Sequence, residues 1–472
     1  MEMLEQVVND KPEAGGKQKP SVLVVGGGLA GLTASKYLVD AGYGVTLLEK
    51  RPVLGGKVSA WKDADGDWIE TGLHAFFGAY EEIYNLMRDL GIYHHIDWKE
   101  HELMYTLAGG ERFSFKTVNL PSPLHLLPAA FKNRYFTLAE RLTLVKALGP
   151  MLFGSPKYYA SQDKYTYEQW HERWGISKRM LKKMFLPMAL ALKFLPPSEI
   201  SAKIVLDVIG IFLRQNKASR MGLLKGSPNK LLTGPIAEYV QNKGGTVRTE
   251  AKVKEVLLDQ TDSHQIAGLL LENGDKLTAD YYLFALPIHN LKKLIPEKLY
   301  NEETFFANLR NIQSVPVISV QLWIDRQVSY HNNLLFSPDG FIPVYADMGN
   351  ATPEYYVDGK SRFHCCVAPA KDLIKKSDEE IVATVWDNLK SVFPDGSKGA
   401  QIEKAVVVRI PSSVYYPGVN IDQYRPSQET PVKNLWLAGG YTHQRFYDSM
   451  EGAVQSGKIA AEKLIKTTSR VS

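Results

Sequence analysis

The sequence has little cysteine, little net charge and no long hydrophobic run, and each shortage narrows what the chain can be. Two cysteines occur in 472 residues, adjacent at Cys365 and Cys366 inside the apolar run 363–367. Neighbours on a strand point to opposite faces, so these two are expected as small core residues rather than a disulfide or a metal pair. A reducing compartment fits that usage. The 56 basic and 51 acidic residues leave a formal charge of +5, too small to mark a nucleic-acid partner. The best apolar run covers residues 184–192 and contains Pro187, well short of the roughly 20 residues a membrane helix needs. Residues 1–20 mix acids, lysines and glycines without an apolar core, and lack the acid-poor, Arg/Ser-rich character of a transit peptide; they read as a disordered tail. With 44% apolar and 23% charged residues, the composition is that of an ordinary globular protein large enough for two or more substructures.

What is present is concentrated in residues 21–57. Residues 21–25 form a β-branched run that reads as a buried parallel strand. Gly26, Gly28 and Gly31 come next as G-x-G-x-x-G, then a helical pattern, then a second apolar strand ending at Glu49. In such a unit the first glycine makes the tight turn, the second admits a pyrophosphate and the third lets helix and strand pack closely. The helix N-terminus offers free N–H groups to the diphosphate, and Glu49 accepts from both hydroxyls of an adenosine ribose. A carboxylate there suits a 2′-hydroxyl and disfavours NADP. Lys50, Arg51, Gly55, Gly56 and Lys57 come after it. A second glycine loop with cations just past the ribose acid serves a cofactor that continues beyond its diphosphate, as FAD does.

Further along, residues 61–68 carry an Asp-Gly turn and read as a hairpin. Residues 74–80 hold aromatics beside glycines and are candidates to pack on the isoalloxazine. Residues 119–160 interleave Lys132, Arg134, Arg141, Lys146 and Lys157 with leucines and aromatics, which suits either an interfacial helix pair or a surface helix on its own core. Residues 221–228 read as a loop, 231–243 as a helix, 247–258 and 266–286 as strand-rich with an Asn273-Gly274 hairpin joining 269–271 to 277–282. A second strand-rich block spans 305–410. Near the end, residues 435–440 are a strand running into Gly439 and Gly440, and after it a helix whose small residues Gly452, Ala453, Ser456 and Gly457 let it lie close to something flat. Its N-terminus would stabilise negative charge at the N1/O2 edge of a reduced flavin.

These segments, with Asp65 to Tyr80, Val315 to Ile318, Val344 to Met348, Leu224 to Pro228, Thr233 to Ile236 and Tyr447 to Ala453, resemble the plant and cyanobacterial carotene desaturases over residues 20–465. The early segments and those at 315–318 and 344–348 are similar to the phytoene-acting branch; those at 224–236 and 447–453 lean towards the ζ-carotene branch. The resemblance implies an α/β fold of flavin amine oxidase type: a Rossmann-type FAD-binding domain with a mixed α+β substrate domain inserted. The expected division is 21–85, 221–295 and 411–466 for FAD, with 86–220 and 296–410 for substrate and membrane, and a tail at 467–472. The resemblance places Ala30, Glu49, Lys50, Lys57, His74, Ala75, Tyr80, Gly440 and Met450 at FAD, beside Gly26, Gly28, Gly31, Arg51, Gly55, Gly56 and Gly439. It places Lys230 and Asp448 at the substrate. Phytoene enzymes typically carry Asp where this chain has Gly440, and Arg where it has Lys230.

The activity that the resemblance implies is desaturation of a carotene hydrocarbon by hydride transfer to flavin N5, with electrons passed to a membrane quinone. A polyene has no hydroxyl or carbonyl to activate, so no nucleophilic triad or metal is expected. The flavin carries the chemistry, and His74 bonds the cofactor or takes the released proton. The enzyme would sit on one leaflet, on the cytoplasmic side of a thylakoid or plasma membrane, or in a plastid; homo-oligomer formation is left open. Two alternatives stay beside this one: an amine- or protoporphyrinogen-oxidase-like flavoenzyme, and an isoprenoid carrier of GDP-dissociation-inhibitor type.

Overall fold

The central strand β1 (Ser21–Val25) is buried on both faces because both are covered by helices and loops. In a computed structural model describing residues 19–118, 120–126 and 134–469, it lies in a five-stranded parallel sheet with β2 (Gly44–Leu48), β3 (Thr246–Arg248), β4 (Tyr281–Phe284) and β5 (Leu435–Leu437). The order is β3-β2-β1-β4-β5, with Val22 opposite both Val45 and Tyr281. Side chains alternate as the period of two demands. Val22 and Val24 pack with α1 (Leu29–Asp40), α2 (Glu82–Asp89), α4 (Gly234–Asn242) and α5 (Met450–Thr468), and Leu23 and Val25 with Ile266, Leu269, Phe306 and neighbours. The chain leaves β1 towards β2 on one side and meets β4 on the other, so the crevice at the carboxyl ends of β1 and β4 is a topological switch point, where open α/β sheets bind ligands.

A second, mixed sheet has seven strands in the order Ile402–Tyr415, Ser314–Ile324, Ser361–Val367, Val344–Asp347, Leu335–Phe336, Glu102–Thr106 and Arg112–Lys116. One face packs on helices drawn from 138–214, including α3 (Ala202–Arg214), and the other on the helix Asp378–Val392. Cys365 and Cys366 are free and buried, one in each of these two cores, as neighbours on a strand must be. The hairpin at 61–68 forms, with Ala60–Lys62 paired to Trp68–Glu70, and Lys404 Nζ ties down its three aspartates, Asp63 at 2.5 Å and Asp65 and Asp67 at 2.7 Å.

Several expected boundaries move. The strand Ile402–Tyr415 runs through the break placed at 410/411, and α2 crosses the one at 85/86, because its Ile83, Leu86 and Met87 belong to the nucleotide-side core. The last helix runs to Thr468, into the tail expected at 467–472. Met221–Leu224 is a strand, not a loop; it pairs with Ile96–Trp98 and Phe76–Phe77, and Gly222 is there because a Cβ would sit 2.8 Å from Ile96 Cγ2. The run 277–282 splits: Leu277 closes the hairpin, and Tyr281 joins the parallel sheet as part of β4. Residues 1–18, 119 and 127–133, in the expected tail and interfacial stretch, lie outside the described residues. Among those described, no helix is long and apolar enough to cross a membrane.

Candidate active site

The groove at the switch point starts with a glycine turn that tolerates no side chain. Gly26 has φ +112° and donates its N–H to Leu48 O at 2.8 Å; a Cβ on Gly31 would fall 1.9 Å from Gly26 O. That contact seats α1 against the end of β1, as the third glycine of such motifs does. The first turn of α1 has neither a capping side chain nor an acid, so its N-terminal N–H groups and positive dipole end keep their capacity for an anion. Above Gly28 the space is open, with no atom nearer than 3.8 Å to a built Cβ. Glu49, at the end of β2, is buried and accepts from Gly27 N at 2.8 Å and Arg51 N at 3.0 Å. A diphosphate over Gly28 and a ribose at Glu49 therefore fit the residues present.

The second glycine loop lies on the first, Gly55 N donating to Gly27 O at 2.8 Å. Arg51 is spent on this loop, its Nη2 donating to Gly56 O at 2.8 Å and Ser59 Oγ at 3.2 Å. Lys57 reaches across to Asp448, Nζ lying 3.1 and 3.0 Å from the two carboxylate oxygens. Asp448 also accepts from Tyr415 N at 3.0 Å, while Lys193 Nζ donates to its main-chain oxygen at 3.2 Å. A Cβ on Gly440 would lie 2.3 Å from Asp448 Oδ1. The Asp448 carboxylate thus occupies the room an acidic side chain at 440 would need. Substituting Asp448 by leucine strands the Tyr415 amide and the Lys57 ammonium. Loss of both bonds should cost about 2–4 kcal/mol of stability and loosen the cofactor, read as a lower Tm and a higher FAD dissociation constant; the asparagine variant, still able to accept, should recover part of both.

Lys193 is buried where the helix Leu186–Lys193 ends, and burial takes its ammonium down to about 8. It also closes a narrow apolar cavity of about 20 Å³, walled by Tyr167, Phe185, Met188, Ile204 and Val208. Apolar space therefore runs up to the Lys57–Asp448–Lys193 cluster at the end of the groove.

Behind the second loop lies a buried polar layer. Thr71 Oγ1 donates to Lys57 O at 2.6 Å, Tyr355 hydroxyl donates to Glu70 Oε1 at 2.6 Å, and Ser319 Oγ and His364 Nε2 are 2.7 Å apart. His74 Nδ1 is buried without a hydrogen-bond partner. Burial lowers His74 to about 4, and His171 and His364 to about 3, from 6.5. It raises Glu70 from 4.5 to about 7. The signs oppose. A histidine with a depressed folded pKa keeps its stability above 6.5 and loses it as pH falls, at up to about 1.4 kcal/mol per unit for each; Glu70 contributes fully below 4.5 and loses that as pH rises through 7. Three histidines outweigh one carboxyl on the acid side, so urea titrations should show stability falling steadily from pH 6.5 towards 4, and Glu70→Gln should raise stability selectively above pH 7.

Of the residues singled out, Gly28 and Gly55 pair across the two glycine loops, Lys57 and Gly440 meet at Asp448, Gly439 bonds to Ser456 of α5, and Ala30 lies against Gly457 of the same helix. Lys50 is exposed. Lys230 is 60% exposed and paired with Glu354 at 2.9 Å, away from the apolar cavity. The aromatics at 76–80 are core: Phe76 packs on Tyr84, Phe77 on Phe212 and Tyr80 on Phe446. The small residues of α5 serve helix packing, since a Cβ on Gly457 would meet Ala30 O at 2.2 Å, and Ser456 Oγ accepts from Gly439 N at 2.9 Å. Two participants had no role assigned from sequence, Lys193 and Glu451. Lys193 gave no signal, standing in an apolar run that leads into prolines. Glu451 gave one, an acid in the first turn of a helix.

A glycine turn open above Gly28, a buried acid at the end of β2 and a narrow apolar cavity beyond them fit the arrangement of an FAD-dependent oxidoreductase. The sequence model described as "Flavin containing amine oxidoreductase" matches residues 29–465. The chain is 40% identical over 453 residues to the 15-cis-phytoene desaturase of Synechococcus elongatus, covering 94% of this chain and 95% of that one. It is 38% identical to the chloroplastic/chromoplastic enzyme of Arabidopsis thaliana, covering 94% and 80%. A "Probable zeta-carotene desaturase" of Synechococcus elongatus is 34% identical, covering 94% and 98%. Among solved structures, an oxidoreductase from Methanosarcina mazei superposes with a TM-score of 0.72 at 17% identity, over 94% of this chain and all of that one. Putrescine oxidase does so with 0.71 at 16%, covering 95% and 99%; these two share the fold. The chain belongs to the flavin containing amine oxidoreductase family, in its carotene desaturase branch, and FAD is its cofactor.

Proposed function

We propose that the chain desaturates 15-cis-phytoene on the way to coloured carotenes. The observation that carries this is the apolar cavity ending at the Lys57–Asp448–Lys193 cluster, in a chain 40% identical over nearly its whole length to a 15-cis-phytoene desaturase. Bound FAD would accept a hydride from an allylic carbon at N5 and hand the electrons to a membrane quinone. The chain's residues do the rest. Glu49 and the α1 N-terminus hold the nucleotide end, Lys57 and Asp448 fix the far end of the groove, and the walls of aliphatic and aromatic side chains exclude water. His74 is held neutral at working pH, so Nδ1 can accept a hydrogen bond from the cofactor. A cavity of about 20 Å³ is far smaller than the hydrocarbon, so admission requires the helix Leu186–Lys193 and α3 to part. Anaerobic addition of phytoene in vesicles should bleach the bound oxidised flavin, and pigments from bacteria supplying phytoene should shift to more desaturated species by HPLC. If neither phytoene nor ζ-carotene bleaches the flavin, the proposal fails. ζ-Carotene is the second substrate to try, because Asp448 fills the room at Gly440 that an acid occupies in phytoene enzymes.

Entry from one leaflet, as a peripheral protein of a thylakoid, plastid or plasma membrane, is part of the same proposal. The helix Leu138–Phe153 is fixed at its start by a Thr137–Glu140 capping box and exposes Leu138 (58%), Leu142 (53%) and Phe153 (76%). Leu138 and Leu142 are one helical turn apart. Burying the three in acyl chains is worth about 1.5–3 kcal/mol per side chain, so Leu142→Asp with Phe153→Asp should abolish vesicle co-sedimentation while leaving the flavin bound.

A further inference from the structure

A cavity of about 330 Å³ opens between α3, the helix Pro156–Ser161 and the loop 443–447, and none of the residues of the cofactor groove lines it. Its wall carries Lys203, Arg214, Arg425 and Arg445 against two carboxylates, Asp207 and Asp422. The acids are already used. Asp422 pairs with Arg425 at 2.9 Å and Lys203 at 3.2 Å, and Asp207 with Lys203 at 3.0 Å and with the Tyr447 hydroxyl. Tyr447 is held at φ +50° beneath them, its hydroxyl also accepting from Lys203 Nζ at 2.8 Å. That floor is fixed.

The cations at the rim are not used up. Among the described residues no carboxylate pairs with Arg214 or Arg445. Arg445 is exposed, with only the Phe446 ring near its guanidinium at 5.8 Å. Arg214 donates Nε to Leu152 O at 3.0 Å and one Nη to the Tyr159 hydroxyl, leaving other N–H groups free. Burial and the nearby Arg425 hold His443 below its usual pKa, so it adds a neutral ring rather than a third charge. The unpaired Arg445 guanidinium and the remaining N–H groups of Arg214, over a rigid polar floor, match an oxyanion such as phosphate.

We propose that this cavity binds a phosphate-bearing anion, and that its source is the headgroup of an acidic phospholipid. The position favours the lipid: Gly154 on the rim directly succeeds Phe153, the most exposed apolar side chain of the helix Leu138–Phe153. The volume exceeds that of inorganic phosphate and leaves room for a glycerol-sized group. The lipid source rests on the membrane contact proposed for that helix; the phosphate chemistry does not.

The test uses the FAD-loaded full chain with two kinds of vesicle, phosphatidylcholine alone and phosphatidylcholine mixed with phosphatidylglycerol, and with soluble glycerol 1-phosphate in a calorimeter. Mixed vesicles should bind more tightly, glycerol 1-phosphate should compete, and Arg445→Gln should weaken the preference about fivefold, as expected for one cation at a charged surface. Arg214→Gln should do the same, with Arg445→Gln as the variant that touches no structural hydrogen bond. Leu142→Asp with Phe153→Asp instead weakens binding to both vesicles, which separates failure of membrane docking from failure of the headgroup site. Binding of glycerol 1-phosphate without any vesicle preference would assign the cavity to a soluble phosphate and overturn the lipid source. No glycerol 1-phosphate binding and no effect of Arg445→Gln would overturn the site altogether.

Discussion

Gly31→Ala should yield protein without flavin and with a sharply lower unfolding temperature. The added methyl carbon would meet Gly26 O at 1.9 Å and the Ala285 side chain at 3.2 Å. Neither can move cheaply: Gly26 is fixed at φ +112° and by its bond to Leu48 O, and Ala285 comes directly after β4. The helix α1 must therefore lift from the sheet. Lifting it also opens the packing of α5 on α1, because Gly457 needs Ala30 O where it is. Overpacking of this kind costs typically 1–3 kcal/mol in a core that can adjust; with the nearest contact a fixed backbone carbonyl the expectation is about 3–5 kcal/mol. The absorbance of bound flavin after gel filtration, together with a melt, checks it. Retention of stoichiometric FAD would mean that the first loop can yield to a side chain after all.

The second large effect is expected at Glu451. This side chain is fully buried in the first turn of α5, yet besides Gln455 Nε2 at 3.0 Å on its own helix its partners are at the start of α2: Oε1 accepts from Glu81 N at 3.2 Å and Glu82 N at 2.9 Å, and Oε2 from Ile83 N at 3.0 Å. No side chain of α2's own N-cap residue does this work. One acid thus caps a foreign helix at its positive end. Glu451→Ala leaves the buried Ile83 N–H and the half-buried N–H groups of Glu81 and Glu82 without this acceptor, at about 1–3 kcal/mol each with water relieving the outer two, so a loss of about 2–4 kcal/mol is expected. Burial raises the Glu451 carboxyl, and the three N–H groups oppose that. Glu451→Gln keeps an acceptor and should lose less than half as much. Urea unfolding distinguishes the two, and equal losses would show that charge, rather than capping geometry, holds α2.

The nucleotide half was legible because its signals are local. The first strand, the glycine turn, the helix and the acid at its second strand all lie within residues 21–49, where period and turn chemistry act over a few residues. The apolar strand before Gly439 was readable for the same reason. What escaped depends on partners distant in sequence. Met221–Leu224 looked like a loop because Gly222 is explained only by Ile96 and Trp98, and Glu451 had no role assigned because its partner Glu82 is 369 residues away. The small face of α5 suggested close approach to something flat, and its Gly457 lies against Ala30 of α1. Lys193 resisted reading since nothing around it in sequence is polar. Burial lowers it first, and the cations that add to the effect, Arg425 and Lys57, come from far along the chain.

The parallel sheet is laid down in three instalments, at 21–48, 246–284 and 435–437, with α5 behind the last. During synthesis, α1 therefore waits for part of its cover, since the strand β5 and the helix that seats on Ala30 lie far along the chain, at 435–468. Hundreds of residues, including the oily side of the helix Leu138–Phe153, emerge before the nucleotide crevice can close. Such a chain is open to misassembly over that interval, and supply of flavin once the third part is in place is then as much a matter of rescue as of loading.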